Sequence, residues 1–399
     1  MDLHSLFLYL AVIIFVGRIF GDIFNRFGLP SVLGEILAGV ILGSSVLGIV
    51  ELNYAIKVLA EIGIILLLFQ VGLEADIHQL KKVGVPAFAV ASVGAILPMF
   101  LGFLASFYLF NLPVATSLFI GGTLTATSIG ITVKVLSDLG KMHYRFAQIV
   151  LAAAVLDDIF GVIVLAVLYE FTKQGSVDLN HTLTLVFYIA TFFLISPLLA
   201  KIIAKMINIF SLKLRSEEFI PVAIMSMIFL FAYLSYEVGS PEILGAFTVG
   251  LALSRRFILP FAAFLRIEEK EKMVDKIEHS IHPLVYVLTP IFFVSIGLSL
   301  NLKVIDFSSL EFWKMSIVLL FIGIVGKVLS GLFIKTSSFK EKLLIGFSML
   351  PRGEVGLIFA EIGKQSKLFD DIVYAVIIFV VAFTTLMAPL TLKYLASRE

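Results

Sequence analysis

Two adjacent aspartates, Asp157 and Asp158, are the residues of this sequence best placed to do chemistry, because both lie inside an apolar run. Apolar residues fill positions 149–156 before them and 159–168 after them. A carboxylate at bilayer depth costs about 2.5–3.5 kcal/mol on insertion scales, so two in succession must face protein, water or a cation. The sequence therefore predicts an ion or proton site here.

A basic side chain in another apolar segment is available to neutralise these carboxylates. Lys327 is flanked by apolar residues on both sides, and Arg352 and Glu354 stand two apart in a later apolar segment, where they can pair with each other or with Lys327. Adjacent residues are about 100° apart around a helix, so Lys327 can neutralise one aspartate while the other binds a cation or a proton. An inert buried network of all five charges is the alternative.

Two polar stretches indicate interrupted helices near these charges. The first contains Thr127, Ser128 and Thr132, and the second runs over residues 348–356 and contains Pro351, which removes a backbone donor. Hydroxyl, carboxylate and unwound carbonyl oxygens suit a hard monovalent cation. We therefore expect two helix breaks beside the aspartates, with ordinary kinks as the alternative.

The composition places most of the chain in lipid. Hydrophobic residues make up 60% of the 399 residues, charged residues 15%, and mean hydropathy is +1.07. A net charge of +1 gives no reason to expect a nucleic-acid partner, and the absence of cysteine excludes disulfides and thiolate metal sites. We expect no cofactor beyond the transported ions, and the lipid bilayer as the main partner.

Apolar stretches of about 20 residues predict thirteen spans. Their approximate limits are 6–24, 30–49, 55–73, 84–108, 114–136, 146–169, 183–207, 218–237, 241–254, 283–300, 314–334, 343–363 and 372–393.

The two halves of the chain resemble each other. Pro30, Gly34 and Gly39 recur with the same spacing as Pro241, Gly245 and Gly250, and the segment 69–73 has a counterpart at 294–298. Because one span lies between the halves, the second half would have the opposite orientation in the membrane, as in many secondary transporters. The predicted fold is therefore an all-α polytopic membrane protein of about 13 transmembrane helices, in two inverted six-helix repeats with broken crossing helices; chance similarity of glycine-rich segments is the alternative.

Basic residues predict the orientation. If the N-terminus is outside and the C-terminus cytoplasmic, most of the 30 lysines and arginines lie in cytoplasmic segments. The exceptions are Lys57, Lys173, Lys303, Lys314, Lys364 and Lys367 outside, and Lys327 and Arg352 within spans. We expect the inner membrane of a prokaryote.

With these motifs the chain resembles the cation:proton antiporter-2 superfamily over nearly its whole length. The matching stretches are residues 33–39, 127–132, 157–158, 292–297, 326–327 and 352–354. In Kef-type potassium/proton exchangers the first aspartate position is a glutamine and a nucleotide-binding domain follows. This chain has Asp157 and stops six residues after Lys393, so the NapA-type sodium/proton antiporters are the nearer resemblance.

The resemblance implies a role for each site residue. Asp158 would bind Na+ and carry a proton, and Asp157 would pair with Lys327 in the cation-free state and help to bind Na+. Thr127 would be a further ligand, and Ser128, Thr132, Arg352 and Glu354 would support the site. Cation and proton would then compete for the same carboxylates, and exchange of two protons for one Na+ or Li+ would be electrogenic.

The resemblance also implies a homodimer that works by elevator-type alternating access. The dimerisation domain would comprise residues 1–80 and 216–310, the transport domain residues 81–170 and 311–399, and the linker helix residues 171–215. A potassium/proton antiporter of the same family is the close alternative. An intramembrane aspartyl protease would need two converging carboxylates, and adjacent aspartates point apart; a channel fits poorly with a lysine-neutralised site.

Overall fold

The computed structural model describes residues 3–27, 29–74, 77–174, 179–214, 219–254, 270–334 and 338–396. These residues form α-helices and no strand. The α-helices are α1 (Leu3–Arg26), α2 (Ser31–Leu42), α3 (Tyr54–Glu74), α4 (Ile77–Leu104), α5 (Val114–Thr123), α6 (Ile129–Asp138), α7 (Arg145–Gln174), α8 (Leu179–Leu214), α9 (Phe219–Glu237), α10 (Glu242–Leu253), α11 (Lys270–Ser299), α12 (Leu310–Ser330), α13 (Phe339–Ser348), α14 (Glu354–Gln365) and α15 (Asp371–Ala396).

The helices correspond to the thirteen predicted spans. Within the described residues, nine helices are long and apolar enough to cross a membrane, and α2, α5 and α10 are shorter apolar helices. The predicted spans 114–136 and 343–363 each consist of two helices, α5 with α6 and α13 with α14. The prediction of two broken helices is therefore confirmed.

Several boundaries differ from the prediction, and two of the differences have a clear physical reason. Helix α2 ends at Leu42, because the chain turns back through Gly48 at φ 65, and the amides of Ile49 and Val50 donate to the Leu42 carbonyl. Helix α11 begins at Lys270, well before the apolar span predicted from 283, since charged residues continue the same helix.

Glycine contacts show how the two repeats fold alike. A Cβ at Gly34 would strike the backbone of Phe20 on α1, and a Cβ at Gly245 would strike the backbone of Phe231 on α9. The two pairs occupy equivalent positions in the repeats, so α1 with α2 and α9 with α10 are the same close-packed helix pair. Small residues that let helix backbones approach are the usual basis of packing in membranes.

The second glycine of each repeat packs on the opposite repeat. A Cβ at Gly39 would meet the backbone of Val294 and Gly297 on α11, and a Cβ at Gly250 would meet Phe69 and Gly72 on α3. These are the segments in which the sequence repeat was found, so each short helix of one repeat is held by the partner repeat.

The described residues fall into two compact units. The first comprises those within 1–57, 83–178 and 293–399, and the second those within 58–82 and 179–292. In the first unit, Phe119 of α5 packs edge-on against Phe359 of α14 and Phe369, with ring centroids 6.2 and 6.4 Å away. In the second unit, α10 packs against α8 and α9.

Candidate cation and proton site

The two helix breaks cross each other in the first unit. Helices α5 and α6 are separated by residues 124–128, and α13 and α14 by residues 349–353. The Ser128 amide donates to the Pro351 carbonyl at 2.7 Å. A Cβ at Gly353 would lie 2.7 Å from the Ser128 Oγ, so glycine at this position leaves the room that the Ser128 side chain occupies at the crossing.

Threonine side chains join the breaks further. Thr127 Oγ1 donates to the Met349 carbonyl at 3.0 Å, and Thr132 Oγ1 donates to the Ser348 carbonyl at 2.7 Å. Both carbonyls lie at the end of α13, where helix carbonyls lack an intrahelical partner. Each hydroxyl donates its proton to a carbonyl at the end of α13. Its oxygen lone pairs can still accept a hydrogen bond or coordinate a cation.

Arg352 caps the other broken helix. Its Nη1 donates to the carbonyls of Thr123 and Ala126 at 3.1 and 3.2 Å, at the C-terminal end of α5. The guanidinium is fully buried and lies beside Gly323 of α12. A cation at a helix C-terminus is favoured by the helix dipole as well as by these hydrogen bonds.

The sequence-based expectation is that Arg352 and Glu354 pair with each other or with Lys327. The structure shows the guanidinium of Arg352 on backbone carbonyls. Glu354 is the first residue of α14, and its side chain lies outside the described residues. The backbone carbonyl of Arg352 accepts from the Thr385 hydroxyl of α15, a contact that no sequence pattern indicated.

Lys327 contacts one of the two aspartates. Its Nζ donates to Asp157 Oδ1 at 3.0 Å and to Oδ2 at 3.1 Å, joining α12 to α7. Lys327 is 0% exposed, Asp157 1% and Asp158 5%. Gly326 stands beside Lys327 because the ring of Pro98 on α4 fills the space that a Cβ would need.

The arrangement carries two carboxylates and two cationic side chains in one buried region. Arg352 donates to the carbonyls of the crossing and Lys327 donates to Asp157, while Asp158 is the adjacent buried carboxylate. One aspartate bound to an amine beside a second aspartate allows a proton or a cation to replace the amine. Because a buried charge is costly when it is unpaired, such a replacement keeps a counter-charge at the carboxylates.

A cavity of about 180 Å³ adjoins the first break. Its polar lining comes from Ser92 and Thr125, and its other walls are apolar side chains of α4 and α7, among them Met99 and Phe160. Phe160 lies one turn beyond Asp157 on α7. The cavity has room for several waters, each of which takes about 30 Å³ in the liquid.

A helical membrane bundle in which two broken helices cross beside buried carboxylates is the architecture of an ion-coupled secondary transporter. The chain belongs to the family described as "Sodium/hydrogen exchanger, transmembrane", which matches residues 11–398. It is therefore a multi-pass membrane protein of a transporter family, as the sequence predicted, and not an enzyme.

Similar proteins agree with this assignment. The chain is 32% identical to the high-affinity Na+/H+ antiporter NhaS3 of Synechocystis, over 97% of this chain and 89% of that protein. It is 33% identical to the Na+/H+-K+ antiporter GerN of Bacillus cereus, over 97% and 95%. The sodium proton antiporter MjNhaP1 of Methanocaldococcus jannaschii shares the fold, with a TM-score of 0.72 at 19% identity over 99% of this chain and 98% of that one.

Proposed function

We propose that this protein exchanges Na+ or Li+ for protons, with Asp158 as the cation ligand and proton carrier and Asp157 as its partner. The observation that carries the proposal is the pair of adjacent buried carboxylates Asp157 and Asp158, the first in contact with Lys327, beside the crossing of two broken helices. The similarity to NhaS3 and GerN, both named as Na+/H+ antiporters, supports sodium/proton exchange.

The exchange cycle follows from competition at the two aspartates. When Na+ arrives, it displaces the proton of Asp158 and draws on Asp157, and Lys327 loses its counter-charge and releases a second proton. When protons return, Lys327 pairs with Asp157 again and Asp158 is neutralised, so the cation leaves. Thr127 contributes an oxygen lone pair, since its hydroxyl proton is directed at Met349.

Two protons against one cation make the cycle electrogenic. One net charge then crosses per turnover, which is worth about 2.3 kcal/mol per 100 mV of membrane potential. A prokaryotic inner membrane, with the N-terminus outside and the C-terminus in the cytoplasm, would let the potential drive Na+ export.

Alternating access would be of the elevator type in a homodimer. The transport domain of residues 81–170 and 311–399 would carry the crossing, while residues 1–80 and 216–310 would form the dimer and 171–215 the linker helix. The crossing suits such movement, because its backbone groups are satisfied from within.

Potassium/proton antiport is the second candidate, since GerN is named a Na+/H+-K+ antiporter. Residue types do not fix the choice, because Na+ and K+ accept the same oxygen ligands.

The test is charge displacement by purified protein in liposomes on a supported membrane, with steps of Na+, Li+ and K+ at several pH values. We expect a pH-dependent current with Na+ and Li+ that Asp158→Asn abolishes. The matched control is Asp371→Asn, which changes an exposed member of another Asp–Asp pair and should leave the current intact.

Each other outcome has a definite meaning. Current with K+ alone would establish the second candidate. Proton flux without current would contradict the two-proton cycle, and full current in Asp158→Asn would remove Asp158 from the site.

A further inference from the structure

Glu35 is a buried carboxylate that the proposed exchange cycle does not use. It lies one turn into α2 and is 1% exposed. Its Oε2 is buried and has no hydrogen-bond partner among the residues that the structure describes. A buried carboxylate oxygen without a partner is a place where a proton can be held.

The second repeat shows that the helix pair does not need this carboxylate. The position equivalent to Glu35 on α10 is Ala246, which is fully buried in the same close packing of Gly245 on α9. The same fold is therefore built with a methyl group at this position. Glu35 must serve something other than the packing of α1 with α2.

The first repeat has also made room for the larger side chain. A Cβ at Gly21 of α1 would lie 3.2 Å from Glu35 Oε1 and 3.4 Å from its Cγ. The residue equivalent to Gly21 in the second repeat is Ala232, so the second repeat pairs two alanines where the first pairs glycine with glutamate. The carboxylate of Glu35 therefore occupies space that a Cβ at residue 21 would need.

Four charged groups act on Glu35, two from each of two neighbouring helices. Arg18 and Asp22 of α1 form an ion pair at 3.0 Å, and Lys134 and Asp138 of α6 form one at 2.8 Å. Helix α15 and the C-terminal part of α11 also pack on α2, and their described residues add no charged group to this set. Each basic residue is thus already engaged with its own acidic partner.

Next to Glu35, α2 is tied to α6. Asp138 Oδ2 accepts from the Ser31 hydroxyl at 2.7 Å and from the Ser31 amide at 3.3 Å, at the first residue of α2. Asp138 is the last residue of α6, so this contact holds the far end of a broken crossing helix.

A proton is the occupant that these groups favour over a metal ion. Within the described part of the chain, no group of three or more acidic, histidine or cysteine side chains is placed to hold a metal. The Ser31 hydroxyl also donates to Asp138, so few oxygen atoms remain to complete the coordination shell of a cation.

We propose that Glu35 is a second proton-binding carboxyl, separate from the Asp157–Asp158–Lys327 cluster, whose ionisation loosens the contact between Ser31 and Asp138. When Glu35 loses its proton, a negative charge appears beside Asp138, and Lys134 then serves two carboxylates. The α2–α6 contact weakens as pH rises, and the exchange rate rises with it. This regulation rests on the proposed antiport function.

The first test measures the proton directly and does not depend on transport. Infrared difference spectra of purified protein, stepped in pH, report the carbonyl stretch of protonated carboxyl groups. We expect wild type and Asp158→Asn to share a protonated-carboxyl band that vanishes at alkaline pH and is absent in Glu35→Gln. Identical spectra for wild type and Glu35→Gln over the whole pH range would overturn the proposal.

The second test measures the pH profile of exchange in proteoliposomes. Glu35→Gln should lose at least about half of the alkaline rise in rate, and Ser31→Ala should shift the rise to lower pH. The double variant Gly21→Ala/Glu35→Ala copies the second repeat and should fold well, so it controls for misfolding and should behave like Glu35→Gln.

The outcomes separate the two proposals. A wild-type pH profile in the double variant would overturn the role of Glu35. Absence of exchange in wild type would contradict the antiport function, while the infrared band would still decide whether Glu35 binds a proton.

Discussion

Breaking the contact between Lys327 and Asp157 from one side should destabilise the protein more than removing both charges. Lys327 donates to both carboxylate oxygens of Asp157, at 3.0 and 3.1 Å, and the side chains are 0% and 1% exposed. Lys327→Met keeps the length of the side chain and leaves Asp157 charged and buried. Removing one partner of a buried pair costs about 3–5 kcal/mol.

We expect the loss in the free energy of unfolding to lie at the lower end of this range. Two hydrogen bonds to charged groups contribute about 1.5–3 kcal/mol each, but Arg352 is close enough to act on Asp157 and offsets part of the loss. We therefore expect about 3 kcal/mol for Lys327→Met and a similar value for Asp157→Asn. The double variant should lose only about 1–2 kcal/mol, which gives a coupling energy of about 4–5 kcal/mol.

Unfolding by a denaturing detergent in mixed micelles, without sodium, measures these values. Trp313 is the only tryptophan of the chain and lies on α12 with Lys327, so its fluorescence reports on the relevant helix. Lys364→Met is the control, since Lys364 is 42% exposed in its 3.8 Å contact with Asp371 and should give no measurable change. A double variant as unstable as the sum of the two single variants would refute the reasoning.

Three further predictions use the same unfolding assay. Sodium at about a hundred times its Kd should stabilise wild type by about 2.7 kcal/mol and Asp158→Asn by almost nothing, and equal stabilisation of both would exclude Asp158 as the ligand. Gly353→Ala should cost about 1–3 kcal/mol, because its Cβ would lie 2.7 Å from the Ser128 Oγ; a neutral result would mean that the crossing yields easily. Arg352→Met should lower the free energy of unfolding by at least about 2 kcal/mol, since the carbonyls of Thr123 and Ala126 lose their hydrogen-bond donor. Wild-type stability would show that these carbonyls gain a different donor in the variant.

The sequence predicted the architecture because a lipid bilayer restricts the structures that can span it. Apolar stretches of sufficient length must be helical in lipid, and the proline at Pro351 and the threonines near Thr127 mark the places where they are not. Charged residues inside those stretches are costly, so Asp157, Asp158 and Lys327 stood out without any structural information. The glycine repeat also carried physical content, since its members turned out to be the close contacts between helices.

The partners inside the site could not be predicted in the same way. Adjacent aspartates differ by about 100° around α7, but the rotation of α7 towards α12 depends on packing that the sequence does not state. The position of Arg352 depends on the two breaks lying against each other, which is a contact between residues more than 200 positions apart. The burial of Glu35 depends likewise on the packing around α2, which the sequence does not state.

The crossing also bears on how the proposed cation site would release its ion. Carbonyls at the ends of α5 and α13 accept from Arg352, Thr127 and Thr132, so these carbonyls have hydrogen bonds without a bound ion. In the proposed cycle the cost of releasing the ion falls on the two aspartates, and Lys327 lies where it offsets that cost for Asp157. The amine, the proton and the cation would then compete for the same carboxylates, so that one replaces another while the crossing itself stays intact.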